Sequence, residues 1–139
     1  MIKISKTLEI NNRNFELTPS QKEKLAKEAI NIINRYEFEE NKKITTTALR
    51  NLLNFATQPN ITPNVFILYL KYQIGRARER DIEDFVSDFE KISKRLYKEF
   101  NAMNSEEAKM IIIREFLTYI VMGATYRKST SNKNSIEPF

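Results

Sequence analysis

Apolar residues recur at helical spacing along most of the chain, and this pattern predicts an all-helical bundle. In the first predicted helix, Leu25, Ala29 and Ile32 fall on one face, and Thr18 and Gln21 form the pattern of a capping box at its start. The five helices are expected near residues 19–37, 46–57, 63–77, 82–100 and 106–126. The fold class predicted is therefore all-α, a single-domain bundle of about five helices.

The predicted helices differ in how their apolar residues are arranged. The third is apolar almost all round, which is typical of a central helix buried on several sides. The fifth carries apolar residues on two faces, which predicts either deep burial or a partner surface. Residues 18–127 form the predicted bundle domain. Residues 1–17 alternate weakly and fit an extended arm or a short strand, and residues 128–139 are expected to be disordered because they have little to bury.

Composition argues against most catalytic chemistry. The 139 residues contain no histidine and no cysteine, so the commonest general base, the thiolate metal ligands and disulfides are all missing. Asp81, Asp84 and Asp88 share one helix face, but one face supplies too few oxygen ligands for a metal. We therefore expect no catalytic residue, no metal and no cofactor. No signal peptide or membrane-spanning stretch is evident, which predicts a cytoplasmic protein with no membrane partner.

Positive charge is concentrated in the middle of the chain. Residues 42–80 hold seven basic residues and one acidic residue, a net charge of +6, whereas the remainder holds 16 basic and 17 acidic residues. Concentrated basic charge is the electrostatic pattern expected for a polyanion partner. The candidate residues for binding a polyanion are Lys42, Lys43, Arg50, Lys71, Arg76, Arg78 and Arg80.

Each basic cluster also has an ordinary structural interpretation. Lys71, Arg76, Arg78 and Arg80 could be a solvated helix end, where cations suit the dipole, but the lack of nearby acids favours binding. Tyr69 and Tyr72 lie beside these cations and could stack on bases, although their pattern fits core packing better.

A second basic stripe lies in the fourth predicted helix, at Lys91, Lys94, Arg95 and Lys98. Acidic residues occur at helical spacing from these cations, so the expected pairs are Asp88 with Lys91, Glu90 with Lys94, and Glu99 with Arg95. We interpret this stripe as ion pairs within one helix.

Two short motifs resemble those of a known family, the small subunit of the type III-A CRISPR effector (Csm) complex. Residues 44–50, ITTTALR, resemble its Thr-Thr segment before a helix that carries Leu or Ile followed by Arg. Residues 70–76, LKYQIGR, resemble its helix ending in Tyr-x-x-Gly-Arg. The resemblance covers roughly residues 20–126.

The resemblance implies a five-helix, non-catalytic subunit that takes part in antiviral defence. In that family, copies of the small subunit stack on one another and on other effector subunits, and they line the channel in which target RNA pairs with CRISPR RNA. The RNA-binding role carries over to Arg50, Lys71 and Arg76 by motif. Lys42, Lys43, Arg78 and Arg80 join them by charge and proximity.

Two alternatives remain open from the sequence. The second and third helices are short, basic and joined by a tight loop, as in a helix-turn-helix DNA-binding regulator, although the third is too apolar for a typical recognition helix. The other alternative is a purely protein-binding helical adaptor. Preference for a particular duplex DNA sequence would favour the first, and a lack of salt-sensitive RNA binding would favour the second.

Overall fold

The computed structural model contains five helices in the part of the chain that it describes. It describes residues 15–36, 45–77, 80–129 and 135–139, with the side chains of 74–77, 80–82 and 128–129 outside the description. The helices are α1 (Pro19–Arg35), α2 (Thr46–Ala56), α3 (Pro63–Ala77), α4 (Arg80–Glu99) and α5 (Glu106–Ser129). The described residues contain no strand. The prediction of an all-α bundle of about five helices is confirmed.

Hydroxyl side chains begin four of the helices. Thr18 and Gln21 form a reciprocal capping box: the Gln21 N–H donates to Thr18 Oγ1 (3.1 Å), and the Thr18 N–H donates to Gln21 Oε1 (2.9 Å). Thr45, Thr62 and Ser105 precede α2, α3 and α5, and each accepts a hydrogen bond from the backbone N–H three residues later. These local bonds satisfy N–H groups that have no partner within the helix, so the sequence determines where each helix starts.

The end of α4 is equally local. Asn101 has a positive φ of 56°. The Ala102 N–H donates to Tyr97 O (2.7 Å) and the Asn101 N–H donates to Lys98 O (3.2 Å), which together form a Schellman motif. Asparagine tolerates this left-handed conformation better than most residues.

Helix α5 is the centre of the bundle and packs against all four other helices. Phe116 of α5 is fully buried and stacks on Phe89 of α4, with ring centroids 5.1 Å apart. Ile112, on the second apolar face of α5, is also fully buried, so that face packs into the core. Within the part of the chain that the structure describes, no helix is both long and apolar enough to cross a membrane.

Helix α3 is not central, and the expectation that it would be is wrong. Phe66 and Leu70 are buried, but Leu68 is 69% exposed and Tyr72 is 59% exposed. The helix buries one face at the edge of the bundle, where Tyr69 stacks on Phe55 of α2 with ring centroids 4.0 Å apart. Its outer face is apolar in composition but has no other described helix over it.

Arginines of α5 cap the ends of two other helices. Arg114 Nε donates to Ala56 O, the last residue of α2, over 2.7 Å. Arg127 Nη1 donates to Ile33 O and also to Tyr36 O (3.0 Å), at the end of α1. These side chains bind carbonyl groups that would otherwise lack a partner within the helix.

The segments flanking the bundle pack against it where they are described. Helix α5 continues to Ser129, and Ile136 is half-buried against the core. Asn34 holds Ile136 by two hydrogen bonds of 2.8 Å, one in each direction between its side-chain amide and the Ile136 backbone. Residues 15–18 are not helical, and Phe15 and Leu17 pack against the core. Residues 1–14 and 130–134, which include the rest of the predicted arm and tail, lie outside the described residues.

Candidate nucleic-acid interface

The structure describes the side chains of two of the seven candidate RNA-binding residues, Arg50 and Lys71. Arg76 lies in the last turn of α3 and Arg80 begins α4, but their side chains lie outside the description. Lys42, Lys43 and Arg78 lie outside the described residues altogether.

Arg50 projects from the exposed face of α2. The motif around it has a clear local logic: Thr45 caps the helix, Thr46 and Leu49 are buried, and Arg50 is exposed. Its Nη2 lies 3.4 Å from Thr125 Oγ1 of α5, which is a long hydrogen bond. Most of the guanidinium donors therefore remain available to solvent or to an anion.

Lys71, on α3, is also exposed, and its partner lies on α4. Its Nζ lies 3.6 Å from Glu90 Oε1 of α4, while its neighbour Leu70 is buried and anchors the motif. Such an exposed ion pair contributes little to stability. The partner of Lys71 belongs to α4 and the partner of Arg50 belongs to α5, so different helices hold the two cations.

The acidic residues of α4 pair with other helices, so the interpretation of the Lys91–Lys98 stripe as ion pairs within one helix is wrong. The pairs formed are Arg35 with Asp88 (2.7 Å), Arg95 with Glu28 (2.9 Å), Lys24 with Glu99, and Lys71 with Glu90 (3.6 Å). Three acids of α4 are paired with cations of α1 or α3, and Arg95 of α4 is paired with Glu28 of α1. Lys94 and Lys98 consequently form no ion pair with any described residue.

Asp88 is the centre of a small polar cluster between α1 and α4. The Tyr36 hydroxyl donates to Asp88 Oδ2 over 2.5 Å, and Arg35 pairs with the same oxygen. Burial opposes ionisation, but the hydrogen bonds from Tyr36 and Arg35 outweigh it and hold the pKa of Asp88 below its ordinary value. Burial and the bond to Asp88 raise the pKa of Tyr36. No group of three potential metal ligands occurs in the described residues, and the contacts of Asp88 serve the fold.

A cavity of about 280 Å³ lies between α3, α4 and α5, at the open edge of the bundle. Its described lining residues are Pro63, Asn64, Ile67, Phe89, Glu90, Ser93, Lys94, Tyr97, Lys98, Met103, Lys109 and Ile113. Ser93 is 3% exposed, and its Oγ has no hydrogen-bond partner among the described residues. Burial chiefly, with the charge of Glu90, raises the pKa of Tyr97.

Sequence reasoning missed this cavity for a definite reason. Lys94 was expected to pair with Glu90, Lys98 was treated as part of the same ion-paired stripe, and Lys109 belongs to another helix. The repeat of Ser93 and Tyr97, one helical turn apart and each followed by a lysine, is a signal that the sequence does contain.

A second, mainly apolar groove lies between α1 and α5, with a volume of about 590 Å³. Gly123 and Ile33 line it, and Ile136 lies in it. Tyr119, at its edge, donates to Glu115 Oε1 over 2.7 Å, and burial together with this bond raises the pKa of Tyr119 to about 12.

No protein family, curated protein or solved structure matches the chain. The basic segment 42–80, the exposed face of α3 and the lysine-lined cavity are the features that bear on function.

Proposed function

We propose that this protein is a non-catalytic small subunit of a type III-A CRISPR RNA-guided effector complex. In this role it binds the backbone of guide and target RNA without sequence preference, and it supports assembly of the complex in antiviral defence. Its partners are CRISPR RNA, target RNA, the other subunits of the Csm complex and further copies of itself. The proposal places it in the cytoplasm and assigns cleavage of RNA to other subunits.

The observation that carries the proposal is the basic segment 42–80, a net charge of +6 in a chain whose remainder is close to neutral. Both family-like motifs fall inside this segment. In each motif a buried leucine, Leu49 or Leu70, is followed directly by an exposed cation, Arg50 or Lys71. A side chain held in this way on a rigid helix suits contact with phosphate.

The chemistry of the task agrees with this arrangement. A subunit that must accept any guide and target sequence has to recognise the backbone and shape of the duplex, because base edges differ from target to target. Lysine and arginine neutralise phosphates without reading bases, and the released counterions make such binding sensitive to salt.

The exposed face of α3 supports the protein-binding part of the proposal. Val65, Leu68 and Tyr72 follow one another at helical spacing and are 42%, 69% and 59% exposed. An apolar strip of this kind is typical of a surface that contacts another protein. It favours partner subunits, or a purely protein-binding adaptor, over a helix-turn-helix regulator, whose recognition helix presents polar groups to the major groove.

The test is retention of target RNA by the assembled complex across a salt series. We expect Arg50→Glu and Arg76→Glu to assemble normally and to weaken retention similarly for unrelated target sequences. For single-stranded RNA, each lost phosphate contact should flatten the dependence of log affinity on log salt by about 0.7. Lys27→Glu, a charge reversal at an exposed lysine of α1 outside the basic segment, is the matched control.

Three results would contradict the proposal. Normal RNA retention by the reversed variants would leave the basic segment as a solvated surface and favour the adaptor. Preference of the purified chain for one duplex DNA sequence would favour the regulator. Unfolding of the Arg50→Glu variant would show that this arginine serves the fold.

A further inference from the structure

Three lysines give the cavity between α3, α4 and α5 a positive rim. Lys94 and Lys98 come from α4, and Lys109 comes from α5. Lys94 and Lys98 form no ion pair with a described residue. Glu90 is the carboxylate among the described lining residues, and Lys71 lies 3.6 Å from it. The rim therefore retains net positive charge, which suits an anionic group.

The wall of the cavity holds a buried polar group without a partner. The Ser93 hydroxyl is buried and accepts or donates no hydrogen bond within the described part of the chain. A buried hydroxyl that loses its water contacts without gaining a partner destabilises a fold, so such groups are uncommon in native proteins. Asn64, in the first turn of α3, adds an amide donor and acceptor to the lining. Both groups suit a ligand with hydrogen-bonding edges.

The remaining walls are mainly apolar. Ile67, Phe89 and Ile113 line the cavity together with the ring of Tyr97, and Lys109 Nζ lies 5.6 Å from the centroid of that ring. The volume of about 280 Å³ is near the lower end of the ~300–1,000 Å³ typical of small-molecule sites. A ligand that fills it needs a compact apolar body as well as an anionic group.

We propose that this cavity is a nucleotide-binding site, which takes the base between the apolar walls and places the phosphate on Lys94, Lys98 and Lys109. A simple inorganic anion would leave the apolar walls unfilled. A long-chain carboxylate would bury the Ser93 hydroxyl and the Glu90 carboxylate against hydrocarbon, which is unfavourable. A nucleotide offers its phosphate to the cations, hydrogen-bonding groups to the Ser93 hydroxyl, and a base to the apolar walls and the Tyr97 ring.

The inference goes beyond the proposed function, because its lysines lie outside the basic segment 42–80 and the isolated chain is expected to bind. The nucleotide can be a free nucleoside monophosphate or an unpaired nucleotide of an RNA strand, since both present the same base and phosphate. Two results would separate the proposals. Arg50→Glu should lose target RNA retention and keep nucleotide binding, whereas a cavity variant should lose nucleotide binding and keep target RNA retention.

The experiment is calorimetric titration of the full chain with AMP, adenosine, inorganic phosphate and a 5′-phosphorylated RNA pentamer. We expect AMP to bind at least about tenfold more tightly than adenosine or phosphate, because it alone among these three engages both the rim and the walls. Binding of AMP identifies a free mononucleotide as sufficient. Binding of the pentamer alone, with the same sensitivity to the lysine variants, assigns the site to a strand of RNA.

Lysine variants test the rim. The double variant Lys94→Gln and Lys98→Gln should weaken AMP at least about tenfold and leave adenosine unchanged. Lys91→Gln is the matched control, because it removes a lysine of the same helix that does not belong to the described lining of the cavity. Equal loss in the control, or no loss in the double variant, would overturn the proposal.

Ser93→Ala separates a ligand contact from a structural role. We expect it to raise Tm, because an unpartnered buried hydroxyl is removed, and to weaken AMP binding several-fold, because a ligand contact is lost. A fall in Tm would show that the hydroxyl serves the fold.

Inorganic phosphate that binds as tightly as AMP would overturn the proposal, because the cavity would then be a simple anion site. No binding of AMP or pentamer at millimolar concentration would overturn the proposal outright.

Discussion

The two sides of the bundle differ in how their side chains are used. On the clamped side, which comprises α1, α5 and Ile136, polar side chains bind backbone groups: Arg127 Nη1 caps α1 and Asn34 holds the Ile136 backbone. On the open side, which comprises α3, α4 and their cavity, the Ser93 hydroxyl has no partner in the described chain and apolar side chains of α3 are exposed.

This difference indicates where the molecule has surface to offer a partner. Groups already paired within the fold gain little from a ligand, whereas unpaired cations, a buried hydroxyl and exposed apolar residues all gain by binding. Positive charge by itself does not distinguish the sides, because Arg127 and Lys94 are both basic. What distinguishes them is whether the partner is inside the chain.

The largest effect is expected at the helix contact of the clamped side. A Cβ at Gly123 would overlap Ile33 Cδ1 and lie 3.2 Å from Ile33 Cγ1. We expect Gly123→Val to destabilise the protein by about 2–3 kcal/mol, because the buried Ile33 has to shift. Urea unfolding measures it. Met122→Val places the same side chain one position away on the exposed surface and should cost under about 0.5 kcal/mol. Equal costs would show that α1 and α5 separate easily.

Removal of the α1 cap should rank next. Arg127→Met keeps much of the apolar stem but removes the donors to Ile33 O and Tyr36 O, and we expect a loss of about 2 kcal/mol. Arg50→Met is the matched control, because its one 3.4 Å hydrogen bond is long and exposed, and it should cost under about 0.5 kcal/mol. If Arg127→Met lowered the free energy of unfolding by less than Arg50→Met, Arg127 could not be a stabilising cap of α1.

Asn34→Ala should cost about 1 kcal/mol, because it removes both bonds to the Ile136 backbone. Residues 135–139 should then be cleaved faster by protease, while the bundle remains intact. Asn34→Asp keeps an acceptor for the Ile136 N–H but loses the donor to its carbonyl, so protection should be intermediate. Unchanged cleavage in Asn34→Ala would show that the apolar contact of Ile136 suffices.

A pair of serines compares a satisfied hydroxyl with an unsatisfied one. Ser93→Ala should stabilise the unliganded protein by up to about 1 kcal/mol, because alanine removes the unpartnered group and is the better helix former. Ser105→Ala should destabilise it by about 1 kcal/mol, because Ser105 caps α5. Thermal unfolding gives both values. The same sign for both would remove the contrast between the sides.

The smallest effect concerns the acid dependence of the Asp88 cluster. The pKa of the Asp88 carboxyl is lowered in the folded state. The stability that this carboxylate contributes is therefore fully present above the ordinary aspartate pKa of about 4 and is lost as pH falls through the lowered value. Asp88→Asn should flatten the decline of stability in acid, by no more than about 1 kcal/mol. Tyr36→Phe should flatten it partly, because Arg35 still pairs with Asp88. An unaltered acid limb in Asp88→Asn would assign the decline to other carboxylates.

Local features of the fold could be predicted from the sequence, and contacts between helices could not. Thr18 caps its helix as expected, because a cap involves residues three positions apart. The capping contacts of Arg114 and Arg127 could not be predicted, because the carbonyls that they bind are 58 to 94 residues away. The ion pairs of α4 were misassigned for the same reason.

The same distinction between local features and contacts between helices applies to the candidate site. Arg50 and Lys71 are exposed, and each directly follows a buried leucine, so the helical pattern of the motifs was enough to predict their exposure. The cavity joins α3, α4 and α5, and its wall depends on how far α3 lies from the centre of the bundle. The prediction that α3 is central was wrong because it rested on apolar composition alone. Composition does not show which face of a helix packs against a neighbour.

The bond between Asn34 and Ile136 joins positions 102 residues apart. Closing so long a loop costs chain entropy that nearby contacts do not, so this contact is expected to form after the folding transition state. Its loss should then accelerate unfolding and leave the folding rate unchanged. The contact of Asn34 with Ile136 would then contribute kinetic stability, because it slows unfolding and leaves the folding rate unchanged.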